Sequence, residues 1–404
     1  MTLTAADVAT PLARYARRFH AHAGARHHVG SPLGAWLLLA LCAPAGEGTA
    51  GQSLHATLGA DPAEAARLAS ELLAQPHPLV PVAAAVWHRE YTGPEALRRW
   101  LAGLPPEVDS GPLVSQAELD DWARRHTGGL IERFPLNDPS IWLLVATVLA
   151  TRVSWERPFD VVPATALGPS SPWASELSQV LRTPDGPGHQ QFVATTEAAG
   201  EVVVHTARAR GGLLVTSVAA APGIPAADVL GAAYELAPPV AAGGPAARRS
   251  LFDLPLGDGP LWTISEHAAP VKAASGRQER CTAVLPAWSA RSEHNLDYPD
   301  LGFAAVAAAL APGDPWQASQ SAMARYSRVG FEAAAVSAVA AAMAMTVPRP
   351  GLIRTAELRF GHPYAVVAVT VDPGGRPPDA GPDLWQGLPV FSAWVAQPED
   401  AGPA

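Results

Sequence analysis

The segment Gly330-Phe-Glu-Ala-Ala-Ala-Val-Ser-Ala-Val-Ala-Ala-Ala-Met-Ala-Met-Thr-Val347 constrains this chain more than any other. From Ala333 to Val347 every residue is small or apolar except Ser337 and Thr346. Alanine is the best helix former, so propensity alone predicts a helix. In an extended conformation the same residues place Ala333, Ala335, Ser337, Val339 and Ala341 in one row of small side chains. A row of that kind can enter a sheet without a clash. Both conformations stay open at this level. The run is shorter than the roughly 20 apolar residues needed to cross a bilayer, and Pro348-Arg-Pro-Gly351 ends any helix and predicts an exposed loop.

The remaining chain predicts one large mixed domain over residues 1–404, since no linker-like stretch interrupts it. Hydrophobic residues make up 48% of the 404 residues and charged ones 16%, which allows a sizeable core. A net charge of -9 speaks against a nucleic-acid surface, which needs clustered Lys and Arg. Cys42 and Cys281 lack metal-ligand spacing, and a disulfide between them is not expected. Residues 1–19 carry charges where a secretion signal has its apolar stretch, so no signal peptide is visible.

Helices are predicted over 5–23, from Ser31 to about Pro44, over 61–74, Pro94–Leu104, Ser115–Phe134 and Leu301–Leu310. Ser31 is the expected N-cap, with Pro32 in the first turn. Val80–Tyr91, Ile141–Val153, Glu201–His205, Gly212–Val218, Thr282–Trp288, Pro363–Val371 and Leu388–Val395 predict strands. The uninterrupted apolar stretch Ile141–Val153 fits a central strand covered on both faces. Pro- and Gly-rich loops are expected over 237–247 and 373–383. The order, helices first and strands later, gives an α+β layout. His20, His22, His27 and His28 are expected in a solvated turn rather than a metal site, and the pairs Glu266-His267 and Glu293-His294 in surface loops. The chain has no G-x-S-x-G, P-loop, H-E-x-x-H or C-x-x-C motif.

Several landmarks in order resemble the serpin family, in its prokaryotic type. Ser31-Pro-Leu33 before the apolar helix is similar to S-P-x-S, and Trp122, Thr127 and Ile131 to a family helix motif. Thr147 to Trp155-Glu-Arg-Pro-Phe159 resembles N-A-x-x-x-x-x-x-W-x-x-P-F, and Gly330–Ser337 the hinge G-T-E-A-A-A-A-T. Phe360-Gly-His-Pro-Tyr364 and Phe391–Pro398 resemble the two C-terminal motifs. The resemblance implies three β-sheets, eight or nine helices and an exposed reactive-centre loop over about 330–356, in a monomer without metal or cofactor.

The resemblance further implies suicide inhibition of a serine protease, or a cysteine protease, by loop cleavage and insertion of the freed arm into the central sheet. About ten new backbone hydrogen bonds at about 1 kcal/mol each would favour insertion. Fifteen extended residues at roughly 3.3 Å each would carry the protease about 50 Å. Counting from Gly330 places the reactive bond at Ala344–Met345, suited to an elastase-like or subtilisin-like pocket, with Leu352 or Arg354 as positions further on. The hinge would be Gly330, Phe331, Glu332, Ala333, Ala334, Ala335, Val336 and Ser337. Ser31, Thr147, Trp155 and Gln320 would hold the sheet where it opens.

Five positions depart from the pattern. Phe331 stands where the family has a small Thr or Ser, Arg328 where it has Glu, Gly34 for the second Ser, Thr147 for the Asn, and Gln320 for a His. An oversized side chain costs typically about 1–3 kcal/mol in a packed site. A slower insertion would turn the loop into a substrate, so a non-inhibitory serpin-like binding or structural protein is the alternative. The resemblance implies an extracellular protein, whereas the missing export signal fits a cytoplasmic one.

Overall fold

The computed structural model describes residues 4–89, 95–138, 140–151, 153–244, 248–330, 349–372 and 383–402. In chain order the elements are α1 (Ala5–Ala23), β1 (His28–Gly30), α2 (Pro32–Cys42), α3 (Gly48–Leu58), α4 (Pro62–Ala74), β2 (Val82–His88), α5 (Glu95–Ala102), β3 (Asp109–Pro112), α6 (Gln116–Thr127), β4 (Leu143–Ala150), β5 (Asp160–Pro163) and β6 (Gln179–Arg182). There follow β7 (His189–Thr196), β8 (Gly200–Ala209), β9 (Leu213–Ala220), α7 (Ala226–Ala241), β10 (Arg248–Arg249), β11 (Gly257–Asp258), β12 (Trp262–Val271), β13 (Arg277–Leu285) and β14 (Trp288–Asn295). The last are α8 (Phe303–Leu310), β15 (Trp316–Tyr326), β16 (Arg349–Arg359), β17 (Tyr364–Thr370) and β18 (Pro389–Val395). The described residues thus hold eight α-helices and three sheets, an α+β arrangement.

The chain packs as two compact units interleaved along the sequence. The first comprises Met1–Arg152, Ala290–Ala324 and Ala368–Ala393, and the second Val153–Ser289, Arg325–Val367 and Trp394–Ala404.

In the first unit, α1 buries the stripe Val8, Leu12, Tyr15 and Phe19, spaced at three and four residues as a helix face requires. Gly24, at φ 63°, ends it with a left-handed residue that lets its N–H reach the carbonyl of His20. The hydroxyl of Ser31 accepts from the Gly34 N–H at 2.9 Å, the expected cap of α2, whose eleven residues are all buried. α6 is shorter than its sequence predicts. Gly128 and Gly129, at φ 59° and 83°, turn the chain after Thr127, so that Ile131 and Phe134 pack against Trp122 and β4 from a loop.

Histidines 20 and 28 overturn the expectation of a solvated turn. Both rings are buried and joined at 2.7 Å, and His20 bonds the hydroxyl of Ser392 at 2.6 Å. Glu293 and His294 lie in β14 rather than a loop.

The main sheet of this unit is five-stranded, in the order β14-β15-β4-β2-β3. Leu143–Ala150 is buried at every position, the two-faced central strand its composition predicts.

In the second unit the six-stranded sheet runs β11-β12-β16-β13-β6-β5. Glu266 and His267 belong to β12, since alternation along a half-exposed strand leaves adjacent polar residues on opposite faces. Cys281, in β13, and Cys42, in α2, are both free thiols. A seven-stranded sheet contains β1, β7–β10, β17 and β18, and its part within this unit is the antiparallel run β9-β8-β7-β10. Helix α7 takes in residues 237–241 of the stretch 237–247 expected as a loop. Its prolines 238 and 239 remove two donors in the last turn, yet Val229, Leu230, Ala233, Leu236 and Val240 are buried along one side and hold it.

Candidate functional site: a clamped strand pair and a pinned hinge

Each unit holds one group of the residues that the serpin resemblance singles out. In the first unit β15 and β4 are direct parallel neighbours, paired from Trp316 with Leu143 to Met323 with Ala150. No strand lies between them. In this register Gln320 stands opposite Thr147, and Thr147 stands opposite Ala84 of β2 on its other side.

Gln320 is completely buried, and its side-chain amide closes on the backbone of Ser31. The Ser31 N–H donates to Oε1 at 2.8 Å, and Nε2 donates to the Ser31 carbonyl at 2.8 Å. The Ser31 hydroxyl donates in turn to the carbonyl of Val390 at 2.7 Å. Gly34, in place of a second serine, leaves the room this amide uses, because a Cβ there would lie 3.3 Å from Nε2. The structure therefore brings Ser31, Thr147 and Gln320 to one place, while Trp155 bonds the turn after β15. The hydroxyls of Thr147 on β4 and Ser321 on β15 are buried without a partner among the described residues. An unmatched buried hydroxyl costs about 1–3 kcal/mol, so the paired strands hold polar groups that gain nothing from pairing.

In the second unit the turn after β15 is stitched to the segment 154–159. The indole N–H of Trp155 donates to the carbonyl of Ser327 at 2.8 Å, and the Trp155 backbone N–H to Val329 at 3.3 Å. The Phe159 N–H donates to Arg328 at 2.9 Å, and Arg328 returns its Nε–H to the carbonyl of Phe159 at 3.3 Å. Arg328, where Glu is usual in the family it resembles, thus points its charge into this turn.

Gly330 closes the turn with an antiparallel bridge to Ser154, while the Ser327 hydroxyl donates to its carbonyl at 2.6 Å. Its φ is 83°, and a Cβ would stand 1.9 Å from the carbonyl oxygen of Val153. Only glycine fits there. Of the predicted hinge this one residue is described. Phe331, Glu332, Ala333, Ala334, Ala335, Val336 and Ser337 lie outside the described residues, as do Ala344 and Met345.

Behind the turn sits an aromatic and imidazole cluster that sequence reasoning did not find. Tyr326 packs against Trp155, Phe159 and Trp288. The Tyr326 hydroxyl lies 3.5 Å from His205 Nδ1, His205 Nε2 lies 3.1 Å from His189 Nδ1, and His189 Nε2 lies 2.8 Å from the Arg157 carbonyl. A carbonyl only accepts, which makes His189 Nε2 a donor and orients the neutral rings in series. Burial holds both histidines below the ordinary imidazole range, His205 further because His189 stands beside it. The sequence places these rings far apart, and only the β7–β8 ladder makes them neighbours.

Downstream, the expected exposed loop beyond Val347 is corrected. Residues from Arg349 onward form β16, paired antiparallel with β12 and parallel with β13. Leu352 and Arg354, the more distant candidates for the cleaved bond, sit inside that strand. Arg354 bonds Glu266 at 2.8 Å and the carbonyls of Leu251 and Leu254. Both positions are thus hydrogen-bonded within a strand that has partners on both sides. Of the stretch 330–356, residues from Arg349 onward thus belong to β16.

No family model matches the chain, and no curated protein matches its sequence. Its structure is similar to that of tengpin, a thermophilic serpin solved in the native state, with a TM-score of 0.63 at 11% identity over 96% of this chain and 94% of tengpin. Human glycosylated kallistatin matches at 0.62 and 13% identity, over 98% of each chain. The Manduca sexta serine protease inhibitor serpin-12 matches at 0.59 and 15% identity, over 98% of this chain and 99% of that one. The chain has the serpin fold.

Proposed function

We propose that this serpin-fold chain inhibits a serine protease by offering the segment between Gly330 and Arg349 for cleavage and then inserting the freed arm between β4 and β15. The observation that carries the reading is the direct parallel pairing of β4 with β15. An arm returning after β15 would run antiparallel to it, and also to β4. Insertion would replace one parallel pairing with two antiparallel ones, which are somewhat more stable per residue. The arm from Ala333 to Ser337 has the small side chains this entry needs.

Cleavage at Ala344–Met345 would suit an elastase-like or subtilisin-like protease, whose specificity pocket takes a small or unbranched apolar residue. The relatives named above as serpins or serine protease inhibitors support a protease partner. Acyl transfer to the protease serine would break the Ala344–Met345 peptide, and the translocation of the arm would carry the acyl-enzyme away before hydrolysis.

A second reading rests on Phe331. As the first side chain of the hinge it would have to enter the sheet early, and its bulk would favour hydrolysis over insertion. The loop would then be a substrate only. Mixing the intact chain with porcine elastase and with subtilisin, followed by denaturing electrophoresis, separates the two. A band of summed mass that survives denaturant supports inhibition. Clean cleavage between 331 and 348 with no such band supports the substrate reading, and no cleavage by either protease overturns the assignment of the bond.

A further inference from the structure

A cleft in the first unit, between the end of α1 and β14, has no part in the reading above. It is an open cleft of about 380 Å³. The protein as a whole carries a net charge of -9. This cleft reverses that sign, since its lining holds two arginines and four histidines against one carboxylate, Glu293.

The arginines come from different elements, Arg26 from the loop after α1 and Arg291 from β14. Both are exposed. Among the described residues Arg26 donates only its Nε–H within the chain, to the Ala23 carbonyl at 3.2 Å, and Arg291 reaches the Arg133 carbonyl at 3.5 Å. Most of their N–H groups therefore face water.

The histidines are held in place. His28 Nδ1 donates to the Arg26 carbonyl at 2.8 Å, and His294 Nε2 donates to the Val29 carbonyl at 2.7 Å, which leaves His294 Nδ1 as a lone pair in the neutral ring. His22 bonds Asp300 at 2.8 Å and stacks on Tyr298 with centroids 3.7 Å apart. The cleft thus joins separately directed cationic donors to a flat apolar edge.

We propose that this cleft is a binding site for a small molecule bearing a phosphate group, gripped by Arg26 and Arg291 together. Two guanidinium groups on separate elements match an oxyanion with acceptors on several sides better than a planar carboxylate, which a single arginine fork satisfies. Glu293 opposes the ligand. The Asp300 carboxylate is engaged by His22. Burial keeps His28 below the usual imidazole range and pushes His294 down to about 4, so both are neutral in the empty cleft at neutral pH. His28 Nε2 already faces His20 Nδ1 at 2.7 Å, so an anion would favour the protonated form of His294, and binding should strengthen as pH falls.

The test is isothermal titration of the intact chain with sodium pyrophosphate at about pH 6 and about pH 8, with citrate in a parallel arm. We expect a dissociation constant below about 1 mM at the lower pH, weaker binding at the higher one, and weaker binding of citrate at both. Arg26→Gln and Arg291→Gln should each weaken pyrophosphate about tenfold with an unchanged melting temperature, and Glu293→Gln should tighten it. Absence of heat up to about 10 mM overturns the proposal. So does wild-type affinity in both arginine variants, and citrate binding equal to pyrophosphate overturns the phosphate class.

Discussion

The side-chain amide of Gln320 holds both backbone groups of Ser31, accepting from its N–H and donating to its carbonyl, each at 2.8 Å. All four atoms are buried in residues with no solvent exposure, so nothing replaces a lost bond. One side chain thereby fixes β15 to the start of α2.

Gln320→Ala leaves the N–H of Ser31 unmatched, while its carbonyl keeps the bond from the Ala35 N–H at 3.1 Å. An orphaned buried group costs about 1–3 kcal/mol, and the intact chain should lose about that much. Urea unfolding followed by circular dichroism measures it, and a loss below about 0.5 kcal/mol would show that the amide is not the clamp.

Gly330→Ala forces a Cβ to within 1.9 Å of the Val153 oxygen at a φ of 83°. The left-handed conformation alone costs about 1–2 kcal/mol. The bridge to Ser154 should break, and the segment after it should be cut faster by subtilisin than in the parent chain. An unchanged cleavage rate would mean that this bridge does not restrain the hinge.

The buried pair His189 and His205 makes stability depend on pH. Burial favours their neutral rings, so the native pKa lies below the unfolded value of about 6.5. Between the two values the unfolded chain binds more protons. Stability is therefore intact above about pH 6.5 and is lost as pH falls below it toward the native values. His20, His28 and His294 add to the same slope. Urea midpoints from about pH 7.5 to 5 should fall, and His205→Gln should flatten the decline. An identical slope in the variant would place its origin elsewhere.

Phe331→Thr should raise the fraction of protease trapped as a stable complex relative to cleaved product, measured by densitometry of denaturing gels. An unchanged partition means that this ring does not slow insertion.

Much of the clamp was legible from residue types. A serine before proline and an apolar run reads as a capped buried helix, and Ile141–Val153 reads as a central strand. β15 was not, because Trp-Gln-Ala-Ser-Gln-Ser-Ala-Met-Ala-Arg-Tyr has few branched residues. Its burial comes from neighbours on both sides rather than from its own propensity. β16 was hidden by Pro350-Gly351. In the fold Pro350 stands opposite Pro270, so both missing donors fall at one rung of the ladder. The imidazole pair at positions 189 and 205 depends on hairpin register, which a single chain of letters does not disclose.

β16 has ten partners in β12, from Trp262 to Val271, and eight in β13, from Arg277 to Val284. Nicking the chain between Gly330 and Arg349 severs the covalent path but leaves that grip untouched. The carboxyl-terminal fragment would stay aboard as a non-covalent passenger, and a gel-filtration column would see one particle where a denaturing gel sees two. Whatever freedom the break confers belongs to the upstream end alone.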